Sequence, residues 1–410
     1  MRIFTFGLTV GCAMVSLTVA ADAQESYALT VLPAEHRLEK DAATGAELVY
    51  LTTNPARDVN LYFHERSWLS DESMIIFLSS REGEGGHMGY LTATGELVRL
   101  DTERGALGAV TAARDFPGVF AVRGRDVLEL RLRISVSQDT AARPSAVQAV
   151  ERVIGALPEG ELHSSLNENA DGTFLSVGMK EAEPGSVEGV YVIETATGAV
   201  RKVCDIVDST GHAWHVQCSR TDPNLVSYAG KEQRLWVVDV REGIPRNVYK
   251  AWPGELVTHE SWWVNDDILF LGGIHPYPYE DSHVKLLDLD TGVVRVVGAG
   301  AWWEGAEPEE LSRVNWWHAA GSDDGRWIAA DNWHGDIVLF EAATTRPRLL
   351  TRDHRTYGEG DHPHVGWDRS GRAVVFASHR LGNLNVCVAR IPESWQPPND
   401  TPSPRTSGTP

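Results

Sequence analysis

Short apolar runs separated by polar turns, rather than long amphipathic stretches, set the pattern of this chain. Six segments repeat one order: a histidine, a short strand, an Asp/Asn/Gly turn, then an apolar strand. They are HERSWLSDESMIIFLSS from His64, HSSLNENADGTFLSVG from His163, HVQCSRTDPNLVSYAG from His215, HESWWVNDDILFLGG from His259, HAAGSDDGRWIAAD from His318 and HVGWDRSGRAVVFAS from His364. A seventh, GAVTAARDFPGVFAV from Gly108, keeps the turn without the histidine. The runs have strand length and strand composition, and helical spacing shows only around Ser145 to Ile154. Starts recur roughly every 45 to 60 residues, the period of propeller blades.

A second element lies between the first: TGAELVYLT at Thr44, TGELVRLDT at Thr94, TGAVRKVCD at Thr197 and TGVVRVVGA at Thr291. Each reads as a Thr-Gly turn into a strand, the hairpin from a blade's third strand to its outermost one. The copy at Thr44 precedes the first blade and has none of its own. It is expected to supply the outer strand of the last blade. The pattern therefore predicts an all-β chain, a seven-bladed β-propeller with an N-terminal strand closing the last blade. The propeller should occupy residues 24–395, with a disordered tail over 396–410.

The ends and the charge narrow the setting. Residues 1–23 read as a signal peptide: Arg2, an apolar stretch, then Ala21-Asp22-Ala23 before a cleavage site at Gln24. The stretch is too short to anchor a membrane, so a periplasmic or secreted protein without membrane insertion is expected. The formal charge is -20, which disfavours nucleic acid as a partner and gives an anionic substrate no long-range attraction. Nothing in the sequence specifies an oligomer. Beyond the leader, Cys204 and Cys218 are near enough to bridge neighbouring strands in an oxidising compartment, and Cys387 reads as a buried small hydrophobe.

The candidate chemistry is histidine chemistry. In a propeller the innermost strand of each blade lines the channel, so strand-start histidines gather at one mouth. His64 and His163 are equally readable as structural. His362-Pro363-His364 adds a second histidine to the last repeat. Residues i and i+2 of an extended segment face one side, so the two imidazoles can share an ion, and Pro363 keeps the pair at the strand's start. Trp214, Trp262, Trp316 and Trp317 lie beside this rim, where an aromatic face could stack on a sugar. His275, Tyr277 and Tyr279 sit on a loop that could also reach it.

HVQCSRTDPNLVSYAGK, the Thr258-His259-Glu260 triplet, WWHAAGSDDGRWIAAD and EGDHPHVGWDRSGRAVVFAS together resemble the oligogalacturonate lyase family, most densely from His215 to Arg390. That resemblance implies a seven-bladed propeller cleaving short pectic oligouronides by β-elimination. It also implies one divalent transition metal, Mn2+ by preference, held by three histidines and a glutamine. Carried over by position, the histidines fall on His318, His362 and His364, and the glutamine on Glu359, a departure that keeps an oxygen ligand and adds charge. The family's base falls on His259 and its substrate-carboxylate arginine on Arg234. Asp361 could join the ligands or orient one of them.

His215 and Gln217 are candidate substrate contacts, and an anionic oligosaccharide is the expected partner. Two alternatives remain open. One is a lyase for another uronic polymer such as ulvan; the other is a non-catalytic periplasmic propeller acting as a scaffold or binding module.

Overall fold

The computed structural model describes residues 24–81, 85–206, 215–230, 233–274, 281–354 and 362–396. The leader and residues 397–410 of the tail fall outside that set, and no described helix is long and apolar enough to cross a membrane. Seven antiparallel sheets of four or five strands follow one another along the chain as the blades of a propeller. Within a blade the strands pair in chain order from channel to rim. In blade six, for example, Trp316–Gly321 pairs Trp327–Asn332, which pairs Ile337–Glu341, which pairs Pro347–Thr351.

Burial explains why the second strands are mostly apolar. Ile268–Gly273, Trp327–Asn332 and Ala373–Ser378 are buried at every residue, because each lies between two neighbouring blades and has no solvent face. Outer strands such as Val200–Asp205 expose half their residues and are polar accordingly. The apolar side chains gather at the joints between blades. Trp327, Ala329 and Leu339 of blade six meet Val374, Phe376 and Cys387 of blade seven. Phe77, Met88 and Tyr90 of blade one meet Val375 and Val386 of blade seven, which closes the ring.

The chain's N-terminal portion secures that closure. Strands β1 (Glu25–Ala28), β2 (Thr30–Leu32), β3 (Arg37–Lys40) and β4 (Glu47–Tyr50) precede blade one. As expected, β4 becomes the outer strand of blade seven, with Cys387 opposite Tyr50 and Ala389 opposite Leu48. The Thr44-Gly45 turn is not a third-to-outer hairpin, however: it joins β3 to β4, and β3 is a fifth strand. Strands β1 and β2 add fifth strands to blades two and one. Three consecutive rims are thus laced together by one segment. The Thr-Gly turns need their glycines, since Gly95, Gly198 and Gly292 have φ of 77°, 71° and 71°, the left-handed region that favours glycine.

Two expectations are corrected. The segment around Ser145 to Ile154 is a strand, Ala146–Ala156, paired along its length with Asp126–Ser135; its apolar spacing serves buried positions such as Val147 and Ala149. Cys204 and Cys218 are free thiols, as is Cys387. Cys204 sits on an outer strand of blade three and Cys218 on the inner strand of blade four. Both pack in the same joint, where burial pushes their thiols up to about 11 and about 12.

Candidate functional site

In four of the seven blades the chain bends at the repeat position through a shared backbone feature. His215, His259 and His364 have φ of 54°, 50° and 52°, and Ala109, at the same place in the blade without the histidine, has 50°. Non-glycine residues held left-handed cost about 1–3 kcal/mol each, so the bend at His215, His259 and His364 is a strained backbone that sets where those imidazoles point. From blade one, Tyr62, Phe63 and His64 enter the channel between Asp58–Asn60 and the Trp68–Ile75 bridge. Tyr62 packs on His215, His318 and His364 at ring separations of 5.4, 5.9 and 4.7 Å. Phe63 lies 5.9 Å from His259 and 5.2 Å from His318. These rings form the floor of a histidine-lined mouth.

On that floor His318, His362 and His364 converge. Their ring centres stand 4.4 Å apart for His318 and His364, 5.3 Å for His318 and His362, and 6.0 Å for His362 and His364. Asp331, opposite His318 in the blade-six hairpin, contacts His318 Nδ1 at 3.0 Å through Oδ2 and accepts the backbone N–H groups of His318 and His364 at 2.8 and 3.1 Å. Burial pushes the Asp331 carboxyl up to about 6, still ionised near neutrality. Burial, reinforced by His362, holds His318 well below its ordinary value. A neutral imidazole beside a carboxylate donates from Nδ1, which leaves the Nε2 lone pair directed away from Asp331.

That is the donor chemistry of a transition-metal ligand. Among the described residues, no three His, Cys, Asp or Glu side chains are grouped closely enough to hold an ion. Glu359 and Asp361 lie outside the described residues. The floor also holds buried ring nitrogens with no hydrogen-bond partner among the described residues, His259 Nδ1 and both nitrogens of His64. Three converging imidazoles, one oriented by a carboxylate, fit a divalent metal in kind.

His259 stands beside this group, 4.2 Å from His318 and 4.9 Å from Trp317 between ring centres. Burial, then the neighbouring His318, His215 and Arg234, hold it well below its ordinary value and hence neutral. Arg234 is fixed rather than free: its Nε donates to Glu260 Oε2 at 2.9 Å, and Nη2 lies 3.2 Å from His215 Nδ1. Glu260 Oε1 in turn lies 2.9 Å from His215 Nδ1. Burial opposes ionisation of Glu260, but Arg234 and His215 outweigh it and keep the carboxyl well below the usual range. Gln217 donates to the Glu260 carbonyl at 2.8 Å and ties blade four to blade five.

The remaining candidates divide. Trp317 stays at the mouth, 4.4 Å from Trp333 and 5.8 Å from His362. Trp262 and Trp316 are buried in the joints, where their indole N–H groups donate to the carbonyls of Gln217 and Ala299. His163 lies in its own blade with Nδ1 3.2 Å from Glu188 Oε1. Trp214, His275, Tyr277 and Tyr279 fall outside the described residues. Sequence reasoning missed Asp331, Glu260 as an anchor, Tyr62 and Trp333. Of these, Asp331 was within reach: counting outward from the Asp-Gly turn at Gly325 pairs it with His318.

Comparison with known proteins bears on the fold. No protein-family model and no curated protein sequence matches the chain. Among solved structures, an oligogalacturonate lyase in complex with manganese superposes with a TM-score of 0.68 at 18% identity, covering 91% of this chain and 99% of that one. An oligogalacturonate lyase from Vibrio parahaemolyticus gives 0.65 at 15% identity, covering 91% and 100%. At such identity the likeness is one of fold: this chain has the seven-bladed propeller that those two proteins have, over nearly its whole length.

Proposed function

We propose that the protein is a metal-dependent lyase that cleaves short oligogalacturonate-like uronic oligosaccharides by β-elimination. The observation that carries this reading is the meeting of His318, His362 and His364 with a neutral His259 and an anchored Arg234 at one channel mouth. A scaffold would have no use for a carboxylate-oriented imidazole set beside buried, unpartnered ring nitrogens.

Elimination removes the C5 proton of a uronate; its electron pair forms the C4–C5 double bond as the C4–O bond breaks, and the leaving sugar's oxygen keeps that bond's electrons and takes a proton from water. That proton, α to a carboxylate, is very weakly acidic. A divalent metal bound by His318, His362 and His364, with Glu359 as the fourth donor expected from the sequence, would act as a Lewis acid on that carboxylate. His259 is neutral and can accept the proton, a role worth roughly a hundred- to ten-thousandfold. Arg234, held by Glu260, offers fixed N–H donors to the same carboxylate without reorganising. Tyr62 and Phe63 close the floor beneath the reacting ring and exclude water from below, while Trp317 and Trp333 offer a stacking face for a neighbouring sugar.

The test is a panel of oligogalacturonates, ulvan-type oligosaccharides and neutral oligosaccharides, followed by the ultraviolet absorbance of unsaturated products. Oligogalacturonates should give product that a chelator abolishes and added manganese restores. Product from ulvan-type chains alone would reassign the substrate, and no product from any uronic chain would refute the lyase reading.

A further inference from the structure

The inner strands have a second end, and the same repeat places charge there. Five residues beyond the strand-head position stand Arg114, Glu168, Arg220, Asp323 and Arg369, in blades two, three, four, six and seven. At about 3.3 Å per extended residue, this ring lies about 16 Å down the channel from the histidines. Arg66 joins it from blade one, just past the segment that forms the floor. Beneath that floor is a cavity of about 50 Å³, lined by Phe63 and His64 above and by Arg66, Arg220, Arg369 and Asp323 around it. Such a space holds several waters or one small ion, and no sugar ring.

The guanidinium groups are not neutralised one for one. Arg220 donates to the Gly321 carbonyl at 2.9 Å and to Asp323 Oδ1 at 3.2 Å. Arg369 donates to the Ala113 carbonyl at 2.8 Å and Arg114 to the Arg220 carbonyl at 3.1 Å. Arg369 Nε is buried with no partner among the described residues. Glu168 and Glu65 also reach the cavity, yet burial pushes both carboxyls upward, Glu65 to about 7. Burial and the neighbouring Arg114 and Arg369 pull even Arg66 down to about 9. Guanidinium groups from blades one, four and seven meet in this confined space, inside a chain whose overall charge is strongly negative.

We propose that this lower chamber is a binding site for a small tetrahedral oxyanion, of the phosphate or sulfate class, held by Arg66, Arg220 and Arg369. Guanidinium forks suit such oxygens, and a bound ion would join blades one, four and seven across the axis. The site is separate from the histidine mouth, since Phe63 and His64 stand between them, and it does not depend on the lyase reading.

The experiment is calorimetric titration of the full chain with inorganic phosphate, and separately sulfate, in chloride buffer. Saturable one-site binding is expected for the wild type and for His318→Ala. At least about tenfold weaker binding is expected for Arg66→Met, with loss of the phosphate-induced rise in Tm. Should Arg66→Met not fold, Arg66→Lys keeps the charge without the fork and should show the same weakening. No saturable binding by the wild type, equal binding by the Arg66 variant, or loss confined to His318→Ala would each overturn the assignment.

Discussion

Asp331 determines which nitrogen of His318 faces the channel. Asp331→Asn leaves the volume unchanged but replaces an acceptor with an amide that can present N–H to the ring, so the tautomer is no longer set. Metal affinity should fall by about 10- to 100-fold, the usual effect of losing such an orienting partner, with the fold intact; a manganese titration followed by calorimetry checks this. A second buried histidine reports on pH. His354 is held between Thr351 Oγ1 at 2.7 Å and Ser378 Oγ at 2.8 Å. Burial, then Arg380, hold it well below the ordinary 6.5. A depressed pKa means the unfolded chain binds the proton first. The stability His354 contributes is therefore present above its unfolded pKa and lost as pH falls below it, at about 1.4 kcal/mol per pH unit. The stability gap between wild type and His354→Gln should narrow from about pH 7.5 to about pH 5.5 in denaturant titrations; a constant gap would contradict the assignment. At this scale the repeat exposed His318, His364 and His259, because each stands at the same place in its repeat, ahead of the polar turn; His259 and His318 lie inside their strands rather than at the start. Glu260 and Asp331 were hidden because they neighbour those histidines through side-chain reach and hairpin register.

The lacing segment shows what an element can do without a sequence period. Tyr27 donates to Glu151 at 2.7 Å, Arg104 lies over its ring at 4.5 Å and pairs with Glu25, and Leu29 is buried in the joint between blades one and two. Deleting residues 24–33 removes β1 and β2 but spares β3 and β4. It should cost roughly 2–4 kcal/mol, the burial of one or two apolar side chains, and lower Tm by several degrees while the ring stays closed. Differential scanning calorimetry of the shortened chain reads this directly; an unfolded product would show that the lacing, not β4, closes the ring. These strands escape detection in the sequence because ESYA and TVL are too short to carry alternation. The apparent helix around Ser145 failed for the complementary reason: pairing along Asp126–Ser135 overrides a weak helical spacing.

The propeller as a whole was legible because its repeat is one physical unit, an inner strand, a turn and a strand buried between blades, copied around a ring. Its closure was legible too, since a Thr-Gly strand without a blade had only the last blade to complete. The channel contents were less so: the segment Tyr62–His64 carries a repeat histidine yet serves as a floor, a role set by the shape of the ring rather than by its own residues. The free thiols make the same point, since proximity in sequence placed Cys204 and Cys218 in one joint without bonding them. The closed ring brings histidines from blades five, six and seven to one mouth, where the proposed uronate would sit. Mass spectrometry of the products from trigalacturonate tests that most directly, because elimination yields an unsaturated fragment one water lighter than hydrolysis does. The prediction is that light fragment from the wild type with manganese and none from folded His259→Ala. Fragments that all carry the full water, with no light one among them, or equal yields of the light fragment from both proteins, would contradict it.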